Sequence, residues 1–234
     1  MQRQPKRSSR LYLHGGPGSG CTPGSRRYFD PERFRIICLD QRGCGRSRPL
    51  ASDDTDLRFN TTAHLIADIE HLRRRLGVDR WIVVGVSWGT TLALAYAQQN
   101  PQCVRGIVLA LVTTTSRREV QWITHDVGRI SPEQFQRFRE FVPAELRAVP
   151  IVDAYAKMLF DPDSTLRNSA ARSWCDWEDA HVSLAPGARP NPRYRDEAFR
   201  FIFARLVTHY WRHESRIASV AFGRLADGRH DLFG

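Results

Sequence analysis

The chain has 234 residues, 41% of them hydrophobic, and a formal net charge of +10. That length fits one domain with room for an inserted lobe, and the apolar content excludes a disordered chain. The longest apolar run, residues 107–112, is too short to cross a bilayer, which excludes a helical membrane-spanning protein. The positive charge is almost all arginine, with only Lys6 and Lys157 beside it, and it scatters along the chain apart from residues 73–75 and the first ten. Scattered arginines read as a solvated surface, so nucleic acid is not an expected partner. The basic first ten residues lack an apolar stretch behind them, unlike a secretory signal. Five cysteines with no CxxC pair argue against a disulfide framework or a zinc site. They lead us to expect a reducing, cytoplasmic setting and no metal.

In chain order, short continuous apolar runs at residues 11–13, 35–39, 81–86 and 106–112 predict buried parallel strands, covered on both faces. Between the second and third, residues 61–76 carry Ala63, Ile66, Ile69, Leu72 and Leu76 near helical spacing. Asn60 or Thr61 is placed to cap that helix and Gly77 to end it. A second helix is expected over 89–99, closed by Asn100-Pro101. Strands alternating with helices define an α/β fold. The pattern changes beyond residue 115. From Ser131 to His213 helix signals dominate, Ser131 and Gln134 are spaced as a capping box, and residues 185–192 read as a loop. The expected organisation is a first part of an α/β core over 1–120, a helical cap over 121–215, and the start of a second core part over 216–234.

Gly85-Val86-Ser87-Trp88-Gly89 follows an apolar strand and precedes a helix, the context a G-x-S-x-G nucleophile elbow requires. A tight turn bares the serine oxygen above the sheet, and the following helix offers its first N–H groups to an oxyanion. The alternative is a plain strand-to-helix turn. His14-Gly15-Gly16-Pro17-Gly18, directly after the first strand, lets backbone approach a substrate closely, and it lacks the Lys-Ser/Thr of a phosphate-binding P-loop. Asp40-Gln41-Arg42-Gly43-Cys44-Gly45-Arg46-Ser47 is a polar, glycine-rich loop leaving the carboxyl end of the second strand, where α/β folds bind ligands. Cys44 there reads as a buried structural thiol or as a neighbour of the site.

These three motifs, in this order, resemble the proline iminopeptidase family of α/β-hydrolases, and the likeness runs from about residue 11 to residue 115. Val86 stands where the family usually has glycine. The resemblance implies an α/β-hydrolase fold with an inserted helical cap, Ser87 as nucleophile, and an oxyanion hole from Gly15 or Gly16 and the amide of Trp88. Trp174-Cys175-Asp176-Trp177-Glu178 is similar to the family's W-x-x-W-E cap motif. It implies that Trp174, Trp177 and Glu178 bind the substrate's terminal amine; a carboxylate among aromatic rings suits a cation, and Trp174 and Glu178 share a helix face. The alternative makes both tryptophans core and Glu178 solvated. A second carboxylate is expected in the stretch resembling residues 204–210, where this chain has Val207.

A serine nucleophile also needs an acid and a histidine, in the chain order Ser, Asp, His. Gly228-Arg229-His230-Asp231 resembles the family's G-R-x-D, which makes Asp231 the candidate acid after a strand at 219–222. No histidine follows in the expected place; His14, His209 and His213 read as structural. Against the family the chain reads as truncated at both ends, its core incomplete at the carboxyl end. The implied activity is removal of an amino-terminal residue, preferably proline, from peptides, with no metal or cofactor. An esterase-like hydrolase, kept open by Val207, and a non-catalytic homologue are the alternatives.

Overall fold

A computed structural model describes residues 7–53, 56–184 and 187–213. Four strands, β1 (Ser8–Leu13), β2 (Phe34–Leu39), β3 (Trp81–Val86) and β4 (Val104–Ala110), form one sheet in the order β2-β1-β3-β4. All pairings are parallel. Helices α1 (Thr62–Arg75) and α2 (Trp88–Gln99) return the chain between strands. The strand order reverses direction between β1 and β3, and at such a switch point the loops leaving the carboxyl ends part to form a crevice. Leu13 at the end of β1 pairs with Gly85 near the end of β3, so the two glycine motifs leave the sheet side by side.

Local chemistry explains most element boundaries. Thr61 caps α1 by accepting from the His64 amide, and Gly77, at φ +62°, lets the chain turn away. The apolar run at 106–112 is only partly strand. Ser87 N–H takes the Ala110 carbonyl at 2.9 Å, and Leu111 then turns at φ 54°, so β4 ends at Ala110. The expectation of coverage on both faces holds for β1 and β3, where Leu11, Leu13, Trp81 and Val83 are fully buried on one face and Tyr12 and Val84 are buried on the other. It fails at β4, where Val108 is 52% exposed because no described element packs over that side. Under the sheet, the Tyr96 hydroxyl donates to Glu70 at 2.6 Å and Arg73 pairs with the same carboxylate at 2.8 Å. Those partners hold the Glu70 carboxyl down at about 2 despite its burial.

Five further helices follow: α3 (Arg117–Thr124), α4 (Pro132–Glu140), α5 (Ile151–Leu159), α6 (Ser164–Val182) and α7 (Glu197–His213). The capping box expected at Ser131 and Gln134 does not form; Ser131 makes no side-chain cap, and Pro132 starts α4 instead. The box forms one helix earlier, between Ser116 and Glu119 at the start of α3. Glu119 also accepts from Thr113, Thr114 and Ser116, which fastens the strand-to-cap crossing. Phe138, Tyr155, Trp174 and Trp177 stack into an aromatic centre, with Phe138 and Trp177 5.3 Å apart and nearly parallel.

Helix α7 joins this cluster to the sheet. Its Ile202, Leu206 and Tyr210 belong to the sheet core, and its Phe203, Ala204 and Val207 to the cap cluster. The spacing i, i+4, i+8 puts the first set on one stripe. His209 donates to the Asn60 carbonyl at 2.8 Å, and the Arg205 guanidinium reaches the Ala51 carbonyl, so α7 is bonded to the loops above the sheet. Among the described residues no helix is long and apolar enough to cross a membrane.

Candidate active site

Ser87 sits between β3 and α2 at φ 53°, ψ −127°. This backbone region is sparsely populated by non-glycine residues, and holding one there costs about 1–3 kcal/mol. The surroundings show how it is maintained. Its N–H bonds Ala110 and its carbonyl accepts from Thr90 N–H at 2.8 Å and Thr90 Oγ1 at 2.7 Å. Thr90 Oγ1 is also within 2.8 Å of the Thr113 carbonyl, which ties the elbow to the chain beyond β4. The flanking glycines are required by contact. A Cβ on Gly85 would overlap the Gly89 backbone, and one on Gly89 would overlap the Leu13 carbonyl. Position 86 faces no such limit, and Val86 is accommodated, half-buried, as the last residue of β3.

The glycine loop lies directly against the serine. A Cβ on Gly15 would fall 2.9 Å from Ser87 Cβ and 3.3 Å from its Oγ. The Gly15 carbonyl accepts from Ser19 N–H at 3.2 Å and from the His14 ring at 2.9 Å. In a planar trans peptide the C=O and the next N–H point in opposite directions. Fixing the Gly15 carbonyl therefore turns the Gly16 amide the other way. Trp88 opens α2, so its amide stands at the positive end of the helix, one residue beyond the serine.

His14 is a framework residue. Its Nε2 accepts from Gln41 N–H at 3.1 Å, which leaves Nδ1–H to donate to Gly15. The Gln41 side chain returns a bond to the His14 carbonyl at 3.0 Å. Burial lowers His14 to about 4, so the ring is neutral near pH 7 with both nitrogens engaged. It does not act on Ser87. Among the described residues no histidine hydrogen-bonds Ser87 Oγ. His209 is also lowered to about 4 by burial and is occupied by Asn60. Asp231 and the strand expected at 219–222 lie outside the described residues.

The loop at 40–47 wraps around Asp40. Burial opposes ionisation of its carboxyl, but Arg46 and the amides of Cys21 and Arg46 prevail and hold it below the usual carboxylate range. Cys44 is 1% exposed, and burial pushes its thiol up to about 12, the structural reading of that residue.

Glu178 is buried on α6, and burial raises its carboxyl above the usual range. His181 counters that, with Nε2 3.5 Å from Glu178 Oε2. The Trp174 indole also favours the ionised form, although its N–H has no partner of good hydrogen-bond geometry. Trp174 and Trp177 are packed inside the aromatic cluster, and the Trp177 indole donates to the Ile123 carbonyl at 3.1 Å. Neither ring is exposed. Val207 is fully buried in the same cluster.

Motif reading missed the short turn at Pro192–Arg195, which links the two ends of the site. Arg193 is close enough for its charge to act on His14 and Cys44, while its neighbour Tyr194 feels the charge of Glu178. Asn191 N–H fastens this turn to Asp179 at 2.9 Å. Its only sequence signal was a Pro- and Arg-rich loop.

An elbow serine at a sheet switch point, facing a glycine loop beneath helices, defines a class. The model of the alpha/beta hydrolase fold matches residues 11–188, and the chain belongs to that family, in its proline iminopeptidase group. A proline iminopeptidase of Neisseria meningitidis serogroup A is 40% identical, over 95% of this chain and 73% of its own length. A Streptomyces coelicolor protein named "Probable proline iminopeptidase" is 52% identical over 86% of this chain and 62% of its own. The crystal structure of the Mycobacterium smegmatis proline iminopeptidase superposes with a TM-score of 0.51 at 25% identity, covering 88% of this chain and 62% of that one. The chain thus spans less than two thirds of the length of some of its relatives and 73% of another.

Proposed function

We propose that the protein is a serine exopeptidase that releases an amino-terminal residue, preferably proline, from peptides. The observation that carries this reading is the placement of Ser87 at a strained elbow with Gly15 packed on it. Ser87 Oγ attacks the first peptide carbonyl, and the amides of Trp88 and Gly16 hold the oxyanion. Gly15 supplies the clearance that lets the substrate carbonyl approach. Collapse expels the shortened peptide as an amine, and water then hydrolyses the acyl ester. The base that takes the Ser87 proton is assigned to no described histidine; Asp231 is the candidate to orient it.

Glu178 is the receptor for the substrate's terminal ammonium. A buried carboxylate with a raised pKa gains most from an incoming cation, because the cation offsets its desolvation. Trp174 and Trp177 position it. The terminal amine then fixes which peptide bond reaches Ser87, which makes the enzyme an exopeptidase. The substrate partner is a peptide with a free amino terminus, and five unpaired cysteines support a cytoplasmic setting.

Hydrolysis of a prolyl arylamide tests this. Ser87→Ala lowers kcat/KM by about 10⁴-fold or more with the fold intact. Glu178→Gln raises KM for the free-amine substrate about 10- to 100-fold and leaves cleavage of an amine-blocked ester unchanged. Undiminished turnover by Ser87→Ala refutes the nucleophile, and an unchanged KM in Glu178→Gln refutes the receptor. A second reading, an esterase-like hydrolase, is favoured by Val207 at the place of the expected carboxylate. Cleavage of short acyl esters with no action on prolyl arylamides would select it.

A further inference from the structure

Glu178 has a resident partner, and the geometry fixes which nitrogen of that partner faces it. His181 lies one turn further along α6, and its ring rests against the Trp177 indole with the centroids 5.3 Å apart. Its Nδ1 stands 2.9 Å from the Trp177 carbonyl. A carbonyl oxygen only accepts, so Nδ1 carries a hydrogen and donates it. The neutral ring therefore has its lone pair on Nε2, and Nε2 is the atom 3.5 Å from Glu178 Oε2. The charged ring places an N–H there instead and pairs with the carboxylate. The two side chains are 12% and 11% exposed, so water and salt screen them weakly. Among the described residues, the other charged and titratable groups packed near the pair are anions, neutral groups or cations with partners of their own. Asp179 on α6 and Tyr194 on the turn at Pro192–Arg195 are within electrostatic reach of Glu178 and bring no positive charge. Burial raises Cys175, which stays a thiol. On α7, the Arg200 guanidinium donates to the carbonyls of Tyr194 and Arg195 at 2.8 and 3.2 Å. His125, across Phe135 from Trp177, pairs with Asp126 at 3.0 Å.

We propose that His181 is the second acceptor for the substrate's terminal amine, a role it takes by giving up its own proton as the amine binds. The proposal rests on the reading of Glu178 as the receptor. With His181 charged, its Nε2–H occupies the carboxylate that the ammonium needs, and two cations would meet at one anion. The ammonium therefore binds the form with a neutral ring. The Nε2–H bond breaks, the proton goes to solvent, and the electron pair stays on Nε2; one positive charge enters as one leaves. Glu178 Oε2 and His181 Nε2 are then two acceptors side by side. A peptide that begins with proline offers a secondary ammonium, whose two N–H donors this pair can satisfy. A primary ammonium brings a third N–H that these two atoms do not serve, and an unserved donor is costly in a buried site. Val207, buried in the same cap cluster, adds no acceptor.

The test is binding of L-prolinamide to the native full chain by titration calorimetry, from about pH 7.5 down to about pH 5.5. Affinity is expected to fall about tenfold over that range, the loss that one competing imidazole proton produces. His14 and His209, lowered to about 4, keep their charge state there. Near pH 6, titrations in two buffers of different ionisation enthalpy are expected to show proton release on binding. His181→Gln keeps an acceptor without a titration and is expected to bind with no pH dependence over this range. His181→Phe keeps a ring against Trp177 and is expected to be equally flat and about tenfold weaker at the upper pH. A parent affinity that ignores pH, binding without proton release, the parent's slope persisting in His181→Gln, or a His181→Phe protein that binds as tightly as the parent at the upper pH overturns the role of His181 and leaves the receptor standing. A parent protein that does not bind prolinamide, or a Glu178→Gln protein that binds it as the parent does, removes the receptor and this proposal with it. The proton count on the parent protein decides the matter even where a variant fails to fold.

Discussion

The elbow serine is half-buried and the cap carboxylate is buried, and they are held in different ways. Around Ser87 the contacts are backbone on backbone. Gly85 touches Gly89, Gly89 touches the Leu13 carbonyl, and Gly15 touches Ser87. Any added side-chain atom collides. Around the tryptophans that flank Glu178 on α6 the contacts are side chain on side chain, drawn from α4, α5, α6 and α7, and Tyr194 of the turn at Pro192–Arg195 feels the Glu178 charge. The first arrangement is rigid because backbone cannot repack. The second is stable because large rings fill volume, and rings can be traded at a graded cost.

That contrast sets what substitutions do. Trp174→Ala empties the centre of the aromatic cluster and is expected to destabilise the protein by about 3–5 kcal/mol in denaturant unfolding. Under native conditions it leaves the elbow in place; loss of the Ser87 contact with the glycine loop in a folded Trp174→Ala protein would break the separation of the two regions.

Acid tests the ties between them. His14 and His209 both have folded pKa values near 4, below the usual 6.5, so below pH 6.5 the unfolded state binds the extra protons. Stability is therefore full above about pH 6.5 and falls as pH drops towards 4, by on the order of 3 kcal/mol for each ring. His209→Gln keeps a donor for the Asn60 carbonyl but removes one titration, and a shallower acid limb in a stability-versus-pH series is the expected result. An unchanged slope would show that the α7 tie does not titrate.

Gly89→Ala sharpens the comparison from the elbow side. One methyl group against the Leu13 carbonyl is expected to cost about 1–3 kcal/mol and to reduce activity beyond what the stability loss explains. Thermal unfolding beside arylamide kinetics reads both; a neutral substitution would mean that β1 and α2 do not meet there.

The same contrast explains what could be read from the residues. The elbow, the glycine loop and the four strands were legible because each depends on neighbours in sequence: glycines fixed by a turn, apolar runs fixed by burial. Errors fell where a distant partner decides. The end of β4 is set by the Ser87 amide on Ala110, and Ser131 lost its expected cap to Pro132 while Ser116-Arg117-Arg118-Glu119 carried the box. Coverage of β4 was overestimated because an apolar run does not say what lies on each side of it. The pairing of Glu178 with His181 has helical spacing and was available; the approach of Tyr194 depends on tertiary packing and was not.

The central claim is that the Ser87 hydroxyl stands bared and reactive beside the glycine loop. Labelling of the native chain with a fluorophosphonate probe, followed by peptide mapping, tests it most directly. The account predicts one adduct, on Ser87, absent from Ser87→Ala. A chain with a folded circular-dichroism spectrum and no adduct at Ser87, or with the adduct on another serine, would contradict it.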